Sequence, residues 1–474
     1  MPIKKIPIAE SIVAAIDEVG LTTHGARIQD GYIDEIGNIV PRPGMSELCD
    51  FGEGASVHGL HWWEAQDWVV GATNGKTFKI TDSVGTEAEI NHSHTDFVVG
   101  SRVVYADYKT SVYGANGNKI KEIKNDSTVI DMQDADAPTT VTHVAFLDRY
   151  LLANQVGSRN FHQSAVGAPN TWNAVSYDIE GQLDDVLALG VANLEITALC
   201  ERTMEIWRND GSTPMIRELQ GFIERGTTSA NSLTWCGEYG WIWIDQFHNV
   251  VRLDGRMPTV LSPTLTKHIQ SFTTVSDAIG DYIVVDGRPW YVLTFPSQEE
   301  TLAYDLRLNR WYPWGYWNAS KAEYEPWRGN CACFAPGWNF TLIGDRGNSK
   351  VYKLDGSFYD DDGDDLRTMV RTASINWDAE STLKRSKSLT FRLKKYQDDP
   401  SADTANIIVK WRDNGDTTWK NEHTVSLGAV GNTEFRGQIR RCGKYYARQY
   451  EILLNYDHPL ALVSVEEDFE YLGA

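Results

Sequence analysis

From His58 onward, short runs of β-branched and aromatic residues alternate with breaks rich in Gly, Asn and Asp. HGLHWWEAQDWVVGATNGKTFKI, residues 58–80, reads as two strands joined at Asn74-Gly75. Asn-Gly is a strong hairpin signal, because both residues tolerate positive φ. The pattern returns in SRVVYADYKTSVYGANGNKIKEI (101–123), with Asn116-Gly117 at the turn, and in VTHVAFLDRYLLANQVGSRNFHQS (141–164), with Gly157. LEITALCERTMEIWRNDGS (194–212), LTWCGEYGWIWIDQFHNVVRLDG (233–255), GDYIVVDGRPWYVLTFPSQEETLAYDLRLNRWYPWG (280–315) and FTLIGDRGNSKVYKLDG (340–356) continue it. The candidate copies recur roughly every forty to fifty residues, the length of one propeller blade.

Hairpins in linear order pair locally, and closing them into a ring removes exposed sheet edges. The expected fold class is all-β. A β-propeller-like domain of six or seven blades is expected over 51–358, with an irregular stack of sheets as the alternative. One blade is open to receive a strand from the opposite chain end. Residues 1–50 read as an N-terminal arm with the first strands.

FYDDDGDDLRTM, from Phe358 to Met369, concentrates Asp360, Asp361, Asp362, Asp364 and Asp365. It lacks the terminal Glu and flanking helices of an EF-hand. Residues 359–367 are therefore expected to be a solvated acidic linker. Beyond it, 368–474 reads as a small C-terminal β-sandwich-like domain. NIIVKW and YYARQYEILL alternate apolar and polar positions, and WRDNGDTTW places Asp413-Asn414-Gly415 in a tight turn.

The 474 residues suffice for more than one domain. Their 17 Trp, 21 Tyr and 15 Phe suit stacked sheets or contacts with other subunits. A formal net charge of -21 argues against a general nucleic-acid binder. Six scattered Cys give no disulfide or zinc framework, and free buried thiols in a cytosol-made protein are expected. MPIKKIPIAESIVAAIDEVG is too interrupted for a signal peptide, and no apolar run reaches membrane length.

There is no GxSxG elbow, Walker loop or HExxH pair. The expectation is a protein that is not an enzyme, with no catalytic, cofactor-binding or metal-binding residues and no cofactor. His58 with His61, and His92 with His94, lack a clear third ligand. Asp134 with Asp136, and Asp184 with Asp185, are close in sequence, which does not set the separation glycoside chemistry requires. Trp311, Trp314 and Trp317 form either a sugar platform or, more commonly, core and interface packing. Arg436, Arg440, Arg441 and Arg448 crowd the last segment. On one strand Arg440 and Arg441 face opposite ways, while Arg436, Arg440 and Arg448 share a parity. A mainly structural role is expected, with guanidinium tips paired to carboxylates.

The C-terminal pattern is WRDNGDTTW, then LG through RGQIRRCG, an aromatic- and Arg-containing strand, and DHPLAL. It resembles the packaged-DNA stabilisation, or tail accessory, family of short-tailed phages. MPIKKIPI and VPRPGM (Val40–Met45) are similar to that family's start. Trp411, Asp413, Gly415, Trp419, Arg440, Arg441, Gly443, Tyr446, Arg448 and Pro459 carry the resemblance. It implies a structural tail component, a nozzle or hub. Such a protein extends the DNA channel below the portal and adaptor and helps retain packaged DNA. It implies a homohexamer in the virion tail, made in the host cytoplasm. Its partners would be the adaptor ring and a distal needle, fibre or tailspike protein, with DNA passing without sequence-specific binding. The alternatives are a propeller-based glycan-binding module of a phage tail and a glycan hydrolase.

Overall fold

A computed structural model describes residues 3–7, 27–90, 97–179, 181–211, 215–263, 265–395, 406–426, 434–455 and 460–472. The chain is almost entirely β. Among the described residues, one short α-helix, Thr266–Gln270, and three 3-10 turns interrupt the strands. Two compact units form, each from several chain segments. One comprises Glu47–Gln298 and Arg328–Leu354; the other comprises Met1–Ser46, Glu299–Trp327 and Asp355–Ala474.

In the first unit, four-stranded antiparallel meanders follow one another over 57–90, 104–131, 144–178, 186–223 and 234–260. The hairpin of Ile279–Val285 and Arg288–Phe295 takes the sixth place. Gly329–Ala335, Phe340–Asp345 and Lys350–Asp355 make the seventh, with Gly44–Asp50 added outside. Each first strand lies beside the next. Val57–Trp63 adjoins Val104–Tyr108, followed by Val144–Leu147 and Val186–Ala192. The series continues through the turn Ala230–Ser232 with Thr234–Trp235, then Ile279–Val285 and Gly329–Ala335, which returns to Val57–Trp63. The unit is a closed seven-bladed β-propeller. A strand does come from the N-terminal side, but it enters the seventh blade as an outer strand.

The second strand of each blade explains the closure. These strands are apolar runs, because both faces are covered. In Trp68–Thr73, Val69 packs with Phe51, Cys331 and Leu342 of the seventh-blade interface, while adjacent Val70 packs with Val112 and Ile123 of the second blade. Leu151 and Leu152 divide in the same way between the second and fourth blades. Ala198 and Leu199 divide between the third and fifth. The strand period of two turns each adjacent apolar pair into a two-sided glue, worth about 1.5–3 kcal/mol per fully buried large side chain. Cys331 and Cys333, two residues apart, both pack toward the same cluster, and all six cysteines are free.

The second unit contains two antiparallel sheets. One has the order Gly31–Ile33, Ile39–Pro41, Leu460–Tyr471, Lys384–Lys395, Glu434–Arg440; Ile3–Lys5 also pairs with Leu460–Tyr471, and Lys444–Tyr445 with Lys384–Lys395. The other has the order Arg27–Gln29, Arg367–Arg371, Arg448–Asn455, Asn406–Asp413, Lys420–Ser426. Of the described strands of the expected N-terminal arm, Ile3–Lys5 and Ile39–Pro41 pair with Leu460–Tyr471 and Arg27–Gln29 with Arg367–Arg371, Gly31–Ile33 pairs with Ile39–Pro41, and Gly44–Asp50 belongs to the seventh blade. The acidic run differs from the solvated linker expected of it. Asp360–Asp361 and Asp364–Asp365 pair across a turn at Asp362 and Gly363, whose φ values are 59° and 84°. Asp361 also pairs with Met45 and is fully buried.

Candidate functional site

Four places concentrate polar chemistry. The first is the propeller axis. A cavity of about 510 Å³ opens there, lined by His61, Tyr105, Phe146, Trp235, Tyr282 and Ala332, among others from the first strands. Arg102 closes it. Its guanidinium pairs with Asp281 and donates to the carbonyl of Asn330 at 3.1 Å, while the Ala332 amide donates to Asp281 Oδ1 at 3.3 Å. Both side chains are largely buried. His143 lies beside this pair, 6% exposed. Burial, followed by the Arg102 charge, lowers its pKa to about 4. His61 pairs with Asp107. Burial and then Arg102 also lower the pKa of His58. A cavity of this size admits a small ligand, not a nucleic-acid duplex.

The second place is a groove of about 710 Å³ between the fourth and fifth blades. Trp235, Tyr239 and Trp241 line it with Glu195, Arg252 and Arg256. Arg256 Nη1 donates to Glu195 Oε2 at 2.8 Å, and the two tryptophan rings lie 5.3 Å apart, nearly edge-on. Gly190 makes room, since a Cβ there would meet the Trp241 ring at 2.3 Å.

The third place, in the other unit, is a buried ionic cluster. Arg42 Nε donates to Asp30 Oδ1 at 2.8 Å, Nη1 to Asp361 Oδ1 at 2.9 Å, and Nη2 to the carbonyl of Gly315 at 2.9 Å. The Gly315 amide donates to Asp30 Oδ1 at 2.7 Å. Burial raises the pKa of Asp30, against the pull of Arg42. Two carboxylates thus share one buried guanidinium.

The fourth place is the C-terminal Arg segment, which divides. Arg448 is 1% exposed. Its Nε donates to Asp413 Oδ1 at 2.6 Å and its Nη2 to Oδ2 at 2.9 Å. Its guanidinium lies 4.3 Å from the Tyr445 ring centre and 5.1 Å from that of Trp411, so it ties the two sheets together. Asn414 Oδ1 accepts the amides of Tyr446 and Ala447 at 2.8 and 3.1 Å. Asn414 and Gly415, at φ values of 57° and 80°, make the expected turn. Trp419 receives Arg412 at 4.5 Å and Arg371 at 4.9 Å. Arg436, Arg440 and Arg441 are exposed instead. They do not form one cluster with Arg448, because Glu434–Arg440 and Lys444–Tyr445 both pair with Lys384–Lys395 in one sheet, and the chain crosses to the other sheet only between Tyr445 and Arg448.

The remaining sequence candidates have structural partners. Asp134 Oδ2 accepts the Trp172 amide and Oδ1 the Asp136 amide. Asp184 Oδ2 accepts the amides of Arg202 and Thr203. Trp311 packs on Tyr304, Trp314 on Trp327, and Trp317 on Tyr324 and Arg367; these separate contacts do not make one sugar platform. His92, His94 and Pro459 lie outside the described residues. No group of three or more His, Cys, Asp or Glu suited to a metal occurs among the described residues, and no helix there is long and apolar enough to cross a membrane. Sequence reading missed the Arg42 cluster, the Arg102–Asp281 pair and the Trp groove. Only the groove had a local signal, the two tryptophans of WCGEYGW.

Residues 35–359 match the family model described as Bacteriophage P22 Gp10, beta-propeller. No curated protein matches the chain in sequence. Solved structures with partial likeness include a chain of the Mitotic Checkpoint Complex, at 11% identity and a TM-score of 0.42, covering 65% of this chain and 92% of that one. Another is the extracellular domain of a one-component system from B. thetaiotaomicron, at 11% identity and a TM-score of 0.45, covering 91% of this chain and 60% of that one. The extracellular domain of a hybrid two-component system from the same organism gives 11% identity and a TM-score of 0.44, covering 91% and 62%. This chain therefore spans less than two thirds of the latter two.

Proposed function

This chain belongs to the phage-stabilisation family of Bacteriophage P22 Gp10, and from that premise we propose that it is a nozzle or hub subunit of a short-tailed phage tail. It extends the DNA channel below the portal and adaptor and helps retain packaged DNA. The observation that carries this reading is the family match over 35–359, which takes in the whole closed propeller. The geometry adds a constraint. The pair of Arg102 with Asp281 among the first strands supports reading the propeller as a wall element and not as the pore itself. The channel of this proposal runs between copies, six around the tail axis, and a surplus of 21 negative charges per chain favours DNA that slides without sticking. The adaptor ring would cap one end, and a needle, fibre or tailspike protein the other. No step of this role needs catalysis or a cofactor.

Cryo-electron microscopy of the virion tail tests the proposal. A six-fold ring of this chain around an open channel is expected. A copy number incompatible with that symmetry overturns it. The groove holding Trp235, Trp241, Glu195 and Arg256 favours a second reading, a glycan-binding module. A monomer with saccharide in that groove is its signature.

A further inference from the structure

Glu434–Arg440 ends its sheet. It pairs on one side with Lys384–Lys395, from Ser388 opposite Arg440 to Lys394 opposite Glu434. Among the described residues no strand pairs with its other side. Arg436, Arg440, Arg441 and Lys444 are exposed along this edge and its continuation. None of the four has a carboxylate partner among the described residues; Arg440 Nε reaches only the Gln438 side chain, at 3.1 Å.

The deficit follows from the order of the strands. Three carboxylates of Leu460–Tyr471 are already engaged: Glu470 by Lys387 at 2.8 Å, Glu466 by Arg392 at 3.3 Å, and Glu467 by the Tyr445 hydroxyl at 2.8 Å. Arg392 moreover stands directly opposite Arg436, and like charges facing each other across strands are destabilising. In a chain with 65 acidic and 44 basic residues, this edge keeps cations that no carboxylate of the described residues neutralises.

We propose that this edge docks an extended acidic segment of a second copy of the chain, which adds a strand beside Glu434–Arg440 and sets carboxylates against Arg436 and Arg440. A free strand edge offers N–H and C=O groups that another peptide backbone satisfies and a phosphodiester backbone does not. The chain carries acidic edge strands of the required kind. Glu87–Ile90, EAEI, is the last strand of the first blade and exposes Glu87. The inference goes beyond the tail assignment and requires only that copies associate.

Edge charges also protect strands from aggregation, but that protection does not depend on their sign. The variant Arg436→Glu/Arg440→Glu separates the two roles, because it keeps the edge charged. Sedimentation velocity of the full chain at about 50 and about 500 mM salt is the measurement. Wild type is expected to self-associate at low salt and to dissociate at high salt. The double reversal is expected to weaken association by about tenfold or more, with an unchanged melting temperature, and Arg436→Lys/Arg440→Lys to retain most of it. A wild type that stays monomeric at low salt, or association indifferent to the reversal, overturns the proposal. So does retardation of duplex DNA by wild type that the reversal abolishes, which assigns the edge to phosphates. Self-association in solution reads this interface whatever particle the protein belongs to.

Discussion

Replacing Arg448 by Ala removes a guanidinium that is 1% exposed and bonded twice to Asp413, at 2.6 and 2.9 Å. Hydrogen bonds to charged groups contribute about 1.5–3 kcal/mol each. The stacking against Tyr445 at 4.3 Å and Trp411 at 5.1 Å adds about 0.5–2 kcal/mol per ring. These contributions do not sum, and the Asp413 side chain is 26% exposed, so its carboxylate regains water when the partner is lost. The expected loss is therefore at the lower end of the roughly 3–5 kcal/mol seen when a buried pair is broken. Arg436→Ala, at an exposed position of the same C-terminal segment, should stay within about 0.5 kcal/mol of wild type. Urea unfolding followed by far-UV circular dichroism and tryptophan fluorescence measures both. A double-mutant cycle with Asp413→Asn isolates the pair, with an expected coupling of about 1.5–3 kcal/mol. If Arg448→Ala costs less than about 1 kcal/mol and matches Arg436→Ala, the claim that Arg448 ties the two sheets is wrong.

Arg42→Met should cost about 3–5 kcal/mol, because it strands Asp30 and Asp361 without a cation; thermal melting reads the loss, and a variant as stable as wild type sinks the account of this cluster. Gly226→Ala would set a Cβ 2.3 Å from the Arg202 backbone nitrogen, a contact backbone cannot yield to, so a loss of at least about 1–3 kcal/mol is expected in the same melts, and a change near zero would show that the loop gives way. With the pKa of His143 lowered to about 4 from an unfolded value near 6.5, the unfolded state binds the extra proton between those values. Stability from this group is fully present above about pH 6.5 and is lost as pH falls toward 4, by about 3 kcal/mol at most. Urea midpoints at pH 7.5, 6 and 4.5 trace the loss, and His143→Asn should flatten that part of the profile; an equal slope in the variant would assign it to other groups.

The elements that local physics governs were legible in the amino-acid order. Asn74-Gly75 and Asp413-Asn414-Gly415 are turns because their backbones reach positive φ at low cost. Val69 and Val70 announce a strand covered on both faces, since adjacent residues point opposite ways. From such signals the all-β class, the hairpin rhythm and the blade scale follow. Seven blades instead of six needed the ring itself, in which Gly329–Ala335 meets Val57–Trp63 and Gly44–Asp50 joins the blade of Lys350–Asp355. These partners lie far apart in the chain, and no short-range pattern names them.

Charge was the least legible property. Five aspartates in six positions read as solvated, yet Asp361 is buried because Arg42, 319 residues away, reaches it. Arg440 and Arg448 read as one parity, yet the chain crosses between Tyr445 and Arg448 and leaves them in different sheets. The amino-acid order set which positions are apolar and where the backbone bends, because those depend on neighbours along the chain. The tertiary structure alone decided which ions are buried, since an ion's cost depends on the water and the opposite charge around it, and both are supplied by residues remote in sequence.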